Sequence, residues 1–279
     1  MVKRILIPTD FSKNALNAAR YAIDLYSKLN CDFYFLNVFQ LDKYTKNTLI
    51  LPEPGSTAYD SAEKNSKEEF VKLLDMLSLH QYNPKHTYHT ISSFSFLIET
   101  MVALIDKNDI DFVVMGTKGA TGAKGVIFGS NTVNAMEKIR MCPVLAVPEN
   151  ISFSTLTEIV FPTNYKNVFK RKEMSYLIEI AKMQEASIEV LHITKEKKLS
   201  STQEENKQLL DEILDTTNHS FHHLSETDIS EGITAFVESR GSSMIAFINR
   251  KHFFFGSVFS NPLVKEIGYK ASTPILALH

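Results

Sequence analysis

The chain has 279 residues, of which 44% are hydrophobic and 22% charged, and its formal net charge is −2. This length suits two domains of roughly 140 residues each, and the composition is typical of a water-soluble globular protein. The near-neutral charge gives no reason to expect nucleic acid or an anionic membrane as the partner, and no apolar run approaches the roughly 18 residues that span a bilayer.

The first half of the chain alternates apolar runs with helical patterns. Strands are predicted for residues 5–8, 33–38, 88–91, 112–115 and 144–147. Helices are predicted from the apolar stripes at residues 15–29, 70–77, 97–105 and 133–139, with Ser12 as the cap of the first. Residues 40–61, with Pro52, Pro54 and Gly55, predict a long loop. Continuously apolar strands that alternate with helices predict a parallel sheet covered on both faces.

The first residues of the chain and its two cysteines indicate the cellular compartment. Residues 1–4 lead directly into the first predicted strand, whereas a secretory signal needs a longer apolar stretch. The two cysteines are Cys31, in a predicted turn between helix and strand, and Cys142, just before a proline. Two such cysteines do not predict a disulfide framework, so we expect a cytoplasmic protein.

The second half of the chain repeats the first. Residues 5–10 (ILIPTD) return at 159–164 (IVFPTN), 33–38 at 188–193, 112–115 at 245–248, and 142–147 (CPVLAV) at 273–278 (TPILAL). Four matches in the same order predict a tandem duplication. The first copy ends its fifth strand near residue 150, so the predicted domains are residues 1–150 and 151–279.

A glycine-rich segment follows the fourth predicted strand. Five of the ten glycines fall within 14 residues: Gly116, Gly119, Gly122, Gly125 and Gly129. Glycine lets the backbone approach a ligand closely, and a loop between a strand and a helix offers amide groups to a phosphate. The helix that begins near Ser130 adds the positive end of its dipole. The segment therefore predicts an anion site, with a ligand-free surface loop as the alternative interpretation.

The spacing of these glycines excludes two common phosphate motifs. The dinucleotide fingerprint G-x-G-x-x-G is absent because no two glycines of the segment are separated by one residue. The nucleoside-triphosphatase loop is absent because Lys124 is followed by Gly125 rather than by Ser or Thr. The remaining pattern is Gly116-x-x-Gly119, nine residues, and then Gly129 with Ser130.

That pattern, with Pro-Thr-Asp10 ending the first strand and Leu-Asn-Val38 ending the second, resembles the ATP-binding branch of the universal stress protein family. The resemblance covers nearly the whole chain, twice. It implies an α/β fold of two tandem five-stranded, mostly parallel sheets flanked by helices and packed as an internal pseudo-dimer. Residues 144–147 and 275–278 would then meet across a pseudo-two-fold axis.

The resemblance also implies a site for ATP, ADP or AMP, with or without magnesium, in the first copy. Asp10 and the backbone of Val38 would hold the adenosine end, Gly116 and Gly119 would shape the phosphate loop, and the residues from Gly129 onward would contact phosphates and ribose. This agrees with the rule that ligands of open parallel sheets bind beyond the carboxyl ends of the strands. The implied site comprises Pro8, Thr9, Asp10, Val38, Met115, Gly116, Gly119, Gly129, Ser130 and Asn131.

The second copy departs from this pattern at every key position. Asn164 replaces Asp10, Asn249 replaces Gly116, His252 replaces Gly119, and Ser260 and Asn261 replace Gly129 and Ser130. Side chains now stand where backbone would meet phosphate, so we expect this half not to bind ATP in the family manner. Residues 253–255 are three phenylalanines, which favour packing or a domain contact over a new apolar pocket.

Two histidine clusters invite a metal hypothesis. They are His80, His86 and His89 in the first half and His219, His222 and His223 in the second. No cysteine or paired carboxylate completes a coordination set, so a role at the strand edge or surface is the favoured interpretation.

The function implied by the resemblance is a stress-response sensor or switch that binds an adenine nucleotide, with a protein partner that the sequence does not identify. Two alternatives stay open. One is a slow ATPase or autokinase that uses the same cleft and modifies Ser130, Thr121 or Thr132. The other is a nucleotide-free protein-interaction module. The cleft shows no base poised to activate water, so slow or absent catalysis is expected.

Overall fold

The computed structural model describes residues 2–39, 54–80, 82–117, 129–196, 198–225, 228–250 and 273–279. Strands and helices alternate along these residues as the sequence predicts. The elements of the first half are β1 (Lys3–Pro8), α1 (Lys13–Leu25), β2 (Cys31–Val38), α2 (Thr57–Ser78), β3 (His86–Ser93), α3 (Leu97–Lys107), β4 (Phe112–Gly116), α4 (Ser130–Lys138) and β5 (Val144–Val147). Those of the second half are β6 (Glu158–Pro162), α5 (Arg171–Gln184), β7 (Ser187–Ile193), α6 (Ser201–Leu214), β8 (His219–Leu224), α7 (Ile229–Arg240), β9 (Met244–Ile248) and β10 (Ile275–Leu278).

All of these strands form one sheet in the order β3-β2-β1-β4-β5-β10-β9-β6-β7-β8. Neighbouring strands are parallel within each half, and β5 pairs with β10 in antiparallel register, with Leu145 opposite Leu276. Read outward from this central pair, the two halves have the same strand order. The predicted fold class, including the internal pseudo-dimer, is confirmed.

Two apolar layers cover the two faces of the sheet. Ile5 and Ile7 of β1 face the layer formed by α1, α2, α5 and α6, while Leu6 between them faces the layer formed by α3, α4 and α7. Successive strand residues point to opposite faces, which is why strands buried on both sides read as unbroken apolar runs. Each layer runs through both halves, so the halves share a continuous core. Within the described residues, no helix combines the length and apolar character needed to cross a membrane.

Helix α1 follows its predicted pattern closely. The Ser12 hydroxyl accepts a hydrogen bond from the Ala15 amide at 3.2 Å and caps the helix. Its alanines, including the fully buried Ala18 and Ala22, face the sheet, and their small side chains bring the helix axis close to it. The helix ends at Leu25, so the predicted extension to Leu29 is wrong.

Three other predictions need correction. Helix α2 begins at Thr57, inside the predicted loop of residues 40–61, because the Ser56 hydroxyl caps it by accepting from the Tyr59 amide; residues 40–53 of that loop lie outside the described residues. Cys31 is the first residue of β2 rather than part of a turn. Val102 was predicted in the apolar stripe of α3 but is 37% exposed, since that helix buries a narrower face.

Polar contacts also join the two halves. The Gln184 side-chain amide donates to the Leu25 carbonyl oxygen at 2.9 Å in a buried position. Lys3 on β1 forms an ion pair with Glu179 on α5 at 2.8 Å. These contacts link β1 and the end of α1 in the first half to α5 in the second.

Candidate functional site

The predicted site residues that the structure describes lie at one edge of the first half of the sheet. Strand β1 lies between β2 and β4, so the direction in which the chain crosses the sheet reverses at β1. Pro8, Val38 and Gly116 are the last residues of these three strands. Open parallel sheets bind ligands in the crevice beyond the carboxyl ends of strands at such a reversal.

The turn after β1 presents a carboxylate at this edge. The Phe11 amide donates to the Thr9 hydroxyl at 3.0 Å, and the Ser12 amide donates to Asp10 Oδ1 at 3.1 Å. Phe11 has φ = 60°, an uncommon left-handed conformation that these hydrogen bonds hold in place. The Thr9 side chain is buried, whereas Asp10 is exposed. The turn therefore fixes the Asp10 carboxylate at an exposed position of this edge.

A buried polar network supports the turn from β2. The Asn37 side-chain amide donates to the Thr9 carbonyl oxygen at 2.8 Å, and Asn37 Oδ1 accepts from the Ser66 hydroxyl at 2.8 Å. Ser66 also contacts the Ser92 hydroxyl at 2.8 Å. Buried polar groups need such partners, so these contacts fix β2 against the turn and position the half-buried Val38. The sequence carried a signal for this network in the polar Asn37 within an apolar strand and in Ser66 within a helix stripe.

Gly116 is enclosed at the end of β4. A Cβ atom at this position would lie 2.8 Å from two atoms of the Asn14 side chain, so only glycine fits without displacement. Its carbonyl oxygen accepts from the Thr132 hydroxyl at 2.8 Å. Met115, which precedes it, is 5% exposed and belongs to the apolar layer against α4. The structure thus gives Gly116 a packing role against Asn14, which the motif alone did not predict.

The start of α4 closes the same edge. The Gly129 amide donates to the Thr117 carbonyl oxygen at 2.7 Å, which brings together the two ends of the glycine-rich segment. Gly119, in residues 118–128, lies outside the described residues. Gly129 caps the helix without a side-chain hydrogen bond, and Ser130 and Asn131 in the first turn are exposed. The N-terminus of α4 therefore offers amide groups and the positive end of a helix dipole next to β4.

The two predicted phosphorylation candidates in this region that the structure describes differ in accessibility. The Ser130 side chain is exposed, but Thr132 is 2% exposed and its hydroxyl donates to the Gly116 carbonyl oxygen. Thr121 lies outside the described residues. The Thr132 hydroxyl therefore links α4 to the end of β4 within the protein.

The second half keeps the turn of the first. The Tyr165 amide donates to the Thr163 hydroxyl at 3.2 Å, and the Lys166 amide donates to Asn164 Oδ1 at 3.0 Å. Tyr165 has φ = 55°, like Phe11. The replacement of Asp10 by Asn164 thus preserves the backbone geometry and removes only the charge.

The cleft of the second half is occupied by an arginine of the chain itself. Arg250, two residues after β9, forms an ion pair with Glu173 at 2.5 Å and donates to the Val168 carbonyl oxygen at 2.8 Å. Its guanidinium carbon lies 5.9 Å from the centre of the Phe169 ring. The space left between β6, β9 and these side chains is about 30 Å³.

The adjacent Asn249, which replaces Gly116, also makes hydrogen bonds within the protein. Its side-chain amide donates to the Met136 carbonyl oxygen, and its own carbonyl oxygen accepts from Arg140. Asn249 therefore joins the second half to α4 of the first. His252, residues 253–255, Ser260 and Asn261 lie outside the described residues.

Four of the clustered histidines each pair with one carboxylate: His80, His89, His219 and His222. His80 contacts Asp24 at 2.9 Å, and His219 contacts Asp211 at 2.8 Å. No group of three histidine, cysteine or acidic side chains suited to a metal ion occurs in the part of the chain that the structure describes.

The two cysteines are free thiols in buried positions. Burial is the main reason that the pKa of Cys31 and the pKa of Cys142 are each raised to about 12. Both groups therefore stay protonated at neutral pH, which makes them poor nucleophiles.

The fold and this edge define a tandem pair of doubly wound α/β domains with a candidate ligand cleft in the first. The sequence model of the universal stress protein family matches residues 1–148, more than half of the 279-residue chain. The chain belongs to the universal stress protein family.

Individual relatives agree with this assignment. A curated universal stress protein of Methanocaldococcus jannaschii is 28% identical over 156 residues, which cover 53% of this chain and 82% of the relative. The crystal structure of a universal stress protein from Archaeoglobus fulgidus covers 98% of this chain with a TM-score of 0.69 at 14% identity, and 95% of that protein is covered. A putative universal stress protein from Pseudomonas aeruginosa covers 99% of this chain with a TM-score of 0.59 at 13% identity, and 92% of that protein is covered. The two structural likenesses support the tandem fold.

Proposed function

We propose that the domain of residues 1–150 binds ATP or a related adenine nucleotide, alone or as its magnesium complex, and that the protein is a cytoplasmic stress-response sensor or switch. One observation carries the proposal: the exposed Asp10 carboxylate and the N-terminus of α4, which has no side-chain cap, lie at the same sheet edge. Family membership supports it.

The two features have complementary chemistry. A carboxylate accepts hydrogen bonds, so Asp10 suits the ribose hydroxyls of a nucleoside. The first turn of α4, with Gly129, Ser130 and Asn131, suits the phosphates because helix N-termini bind anions. The backbone of Val38, at the end of β2, would hold the base, while Pro8, Thr9 and Met115 would line the cleft.

Magnesium would arrive with the nucleotide in this proposal. Among the described residues of the predicted site, Asp10 is the carboxylate, and one carboxylate does not form a dedicated cage. The phosphates would supply further ligands to the ion.

The domain of residues 151–279 is proposed not to bind nucleotide in this manner. Arg250 and Phe169 fill the equivalent cleft, and Asn249 replaces the enclosed glycine. One adenine nucleotide per chain is the expected stoichiometry.

The test is calorimetric titration of the full chain with ATP and magnesium, after any bound molecule has been released and identified by mass spectrometry. The decisive variant is Asp10→Asn, because Asn164 shows that asparagine supports the same turn. It should weaken ATP binding at least tenfold without lowering the urea midpoint of unfolding. The matched control is Asn164→Asp in the second half, which should leave affinity and stoichiometry unchanged.

Other outcomes would contradict the proposal. Two nucleotides per chain would show that the second half also binds. The absence of both nucleotide and heat of binding, with Gly129→Val indistinguishable from the unaltered protein, would favour the interaction module. Phosphate release or a labelled Ser130, lost in Asp10→Asn, would favour the slow ATPase or autokinase.

A further inference from the structure

A second cavity, of about 380 Å³, lies in the second half, one strand outward from the cleft that Arg250 fills. It is bounded by the end of β7 and the segment after it, by α6 and by the edge strand β8. Cavities of roughly 300–1,000 Å³ are typical of small-molecule sites. The cavity also lies toward the carboxyl ends of parallel strands, where open sheets bind their ligands.

In the first half, aromatic rings fill the equivalent corner. The rings of Phe39, Tyr59 and Phe94 lie 5.6 to 5.8 Å from one another, centre to centre. Phe39 follows β2, Tyr59 belongs to the first turn of α2, and Phe94 follows β3. Aromatic rings pack closely at such distances, so these three close the space between the two strand ends and the helix.

The second half has none of these three rings. Thr194 replaces Phe39, because each follows the last residue of its strand and donates its amide to the last residue of the edge strand. Ser225 replaces Phe94 in the position after the edge strand. Helix α6 has 14 residues against 22 in α2 and contains no aromatic residue, so Tyr59 has no counterpart. The corner that is packed in the first half is therefore open in the second.

Four charged side chains, two of each sign, line the open corner. They are Glu196, Lys198, Glu204 and Lys207. Within the described part of the chain, none of the four makes an ion pair or a side-chain hydrogen bond. Three of them are exposed and Lys207 is half-buried, so a ligand in the cavity can reach them. Opposite charges left unpaired around one cavity complement a ligand that carries both signs, whereas a polyanion such as ATP gains nothing from a lining without net charge.

Glu204 and Lys207 are spaced to bind the two charges of one small molecule. They lie three residues apart on α6, which places their Cβ atoms roughly 5–6 Å apart on one helix face. The Lys207 ammonium lies 5.3 Å from the centre of the Phe221 ring and forms no ion pair with Glu204. An α-amino acid carries its ammonium and its carboxylate on a single carbon atom, so it can contact both side chains at once.

The remaining wall of the cavity is partly apolar. Leu199 and Phe221 both line it, and both are half-buried against the core of the second half. Their side chains form no hydrogen bonds, so they favour an apolar group of the ligand beside its charged end.

We propose that this cavity binds a small zwitterion with an apolar side chain, which is the chemistry of a free apolar α-amino acid. Glu204 accepts hydrogen bonds from the ligand ammonium, Lys207 donates to the ligand carboxylate, and Leu199 and Phe221 pack against the ligand side chain. The site shares no residue with the nucleotide cleft of the first half, so it does not depend on nucleotide binding.

The experiment compares L-leucine with two analogues by calorimetric titration of the full chain. N-acetyl-L-leucine keeps the carboxylate but has no ammonium, and L-leucinamide keeps the ammonium but has no carboxylate. Leucine should bind about fivefold more tightly than either analogue, the ratio that one partly screened ion pair produces. In nitrogen-15 NMR spectra, the amide resonances of Glu204 and Lys207 should move when leucine is added and stay in place when ATP is added.

The decisive variant is Glu204→Gln. It should lower leucine affinity about fivefold and leave N-acetyl-leucine affinity unchanged, because that analogue has no ammonium to lose a partner. The matched control is Glu205→Gln, which removes the neighbouring carboxylate of the same helix outside the cavity and should leave leucine binding unchanged.

The reciprocal variant is Lys207→Met. It should lower leucine affinity by a similar factor and leave leucinamide affinity unchanged, since leucinamide has no carboxylate. Lys182→Met on α5, outside the cavity, is its control and should have no effect.

Several results would overturn the proposal. They are no binding of leucine by the unaltered protein, equal affinity for leucine and both analogues, unchanged leucine affinity in Glu204→Gln, and displacement of leucine by ATP. Should either variant fail to fold, the comparison of the three molecules on the unaltered protein still decides the question.

Discussion

The side-chain amide of Asn37 donates a 2.8 Å hydrogen bond to the carbonyl oxygen of Thr9. This contact ties the end of β2 to the turn that carries Asp10, and both partners are buried. The geometry of the candidate nucleotide cleft therefore depends on a residue that the nucleotide itself need not touch.

Replacing Asn37 should destabilise the first half. Asn37→Ala leaves the Thr9 carbonyl oxygen and the Ser66 hydroxyl with one partner fewer, and an unsatisfied buried polar group costs about 1–3 kcal/mol. Urea unfolding should show a loss of that size in the free energy of unfolding. Asn37→His should lose less, because His192 makes the same contact in the second half. Equal losses in both variants would show that the contact to Thr9 is unimportant.

Gly116→Ala should destabilise the protein by about 1–3 kcal/mol through overpacking. The new methyl group would lie 2.8 Å from Asn14, and β4 and α1 both hold their positions through the core. Combining it with Asn14→Ala makes room for the methyl group. The double variant should therefore lose less stability than the sum of the single variants, measured by urea unfolding. Strict additivity would contradict the contact.

The ion pair between Arg250 and Glu173 should stabilise the second half. Arg250→Met keeps much of the side-chain volume but removes the charge, so a loss of about 1–2 kcal/mol is expected for a partly buried charged hydrogen bond. A double-variant cycle with Glu173→Gln should give a coupling energy of comparable size by urea unfolding. A coupling energy near zero would mean that Arg250 occupies the cleft without pairing.

Glu189 on β7 is a buried carboxylate in a polar cluster. Burial by itself would raise its pKa, but hydrogen bonds from Ser220, Ser187 and His222 outweigh burial and, with the nearby Arg240, hold the pKa of Glu189 below its usual 4.5. The unfolded chain therefore takes up this proton at a higher pH than the folded protein does.

The pH dependence of stability follows from that difference. The stabilisation due to Glu189 is present above about pH 4.5 and is lost as the pH falls through the lower pKa of the folded state. Glu189→Gln should thus be less stable than the unaltered protein at pH 7, with a gap that narrows toward pH 3 in urea unfolding. Glu205→Gln, at an exposed position of α6, is the control and should show almost no gap at either pH. A gap that stays constant with pH in Glu189→Gln would contradict this account.

Much of the fold was predictable because its signals are local. Apolar runs, the alanine face of α1 and the Ser12 cap each act within a few residues, and the repeat placed the same elements twice. The predictions that were wrong concerned where helices and strands begin or end and which residues of α3 are buried. The Ser56 cap begins α2 earlier than the prolines before it suggested, and the exposure of Val102 depends on how far the neighbouring elements extend over α3.

The sequence predicted where the candidate site lies but not the contacts that hold its residues in place. The motif placed Asp10, Val38 and Gly129 near one another, because strand ends of a parallel sheet share an edge. No sequence motif predicts the contact of Gly116 with Asn14, which is about 100 residues away in the chain. The same is true of the hydrogen bond between Asn37 and Ser66. The roles of Asp10, Val38 and Gly129 in binding a nucleotide remain predictions.

The sequence by itself determined the family, the tandem repeat and the alternation of strands and helices, since these follow from the order and periodicity of residues along the chain. Only the tertiary structure decided that Arg250 would enter the second cleft and that Asn249 would join the second half to α4 of the first. Both outcomes depend on side chains from separate elements that meet after folding. The space and the hydrogen-bond partners around a side chain are properties of packing, which the order of residues does not state.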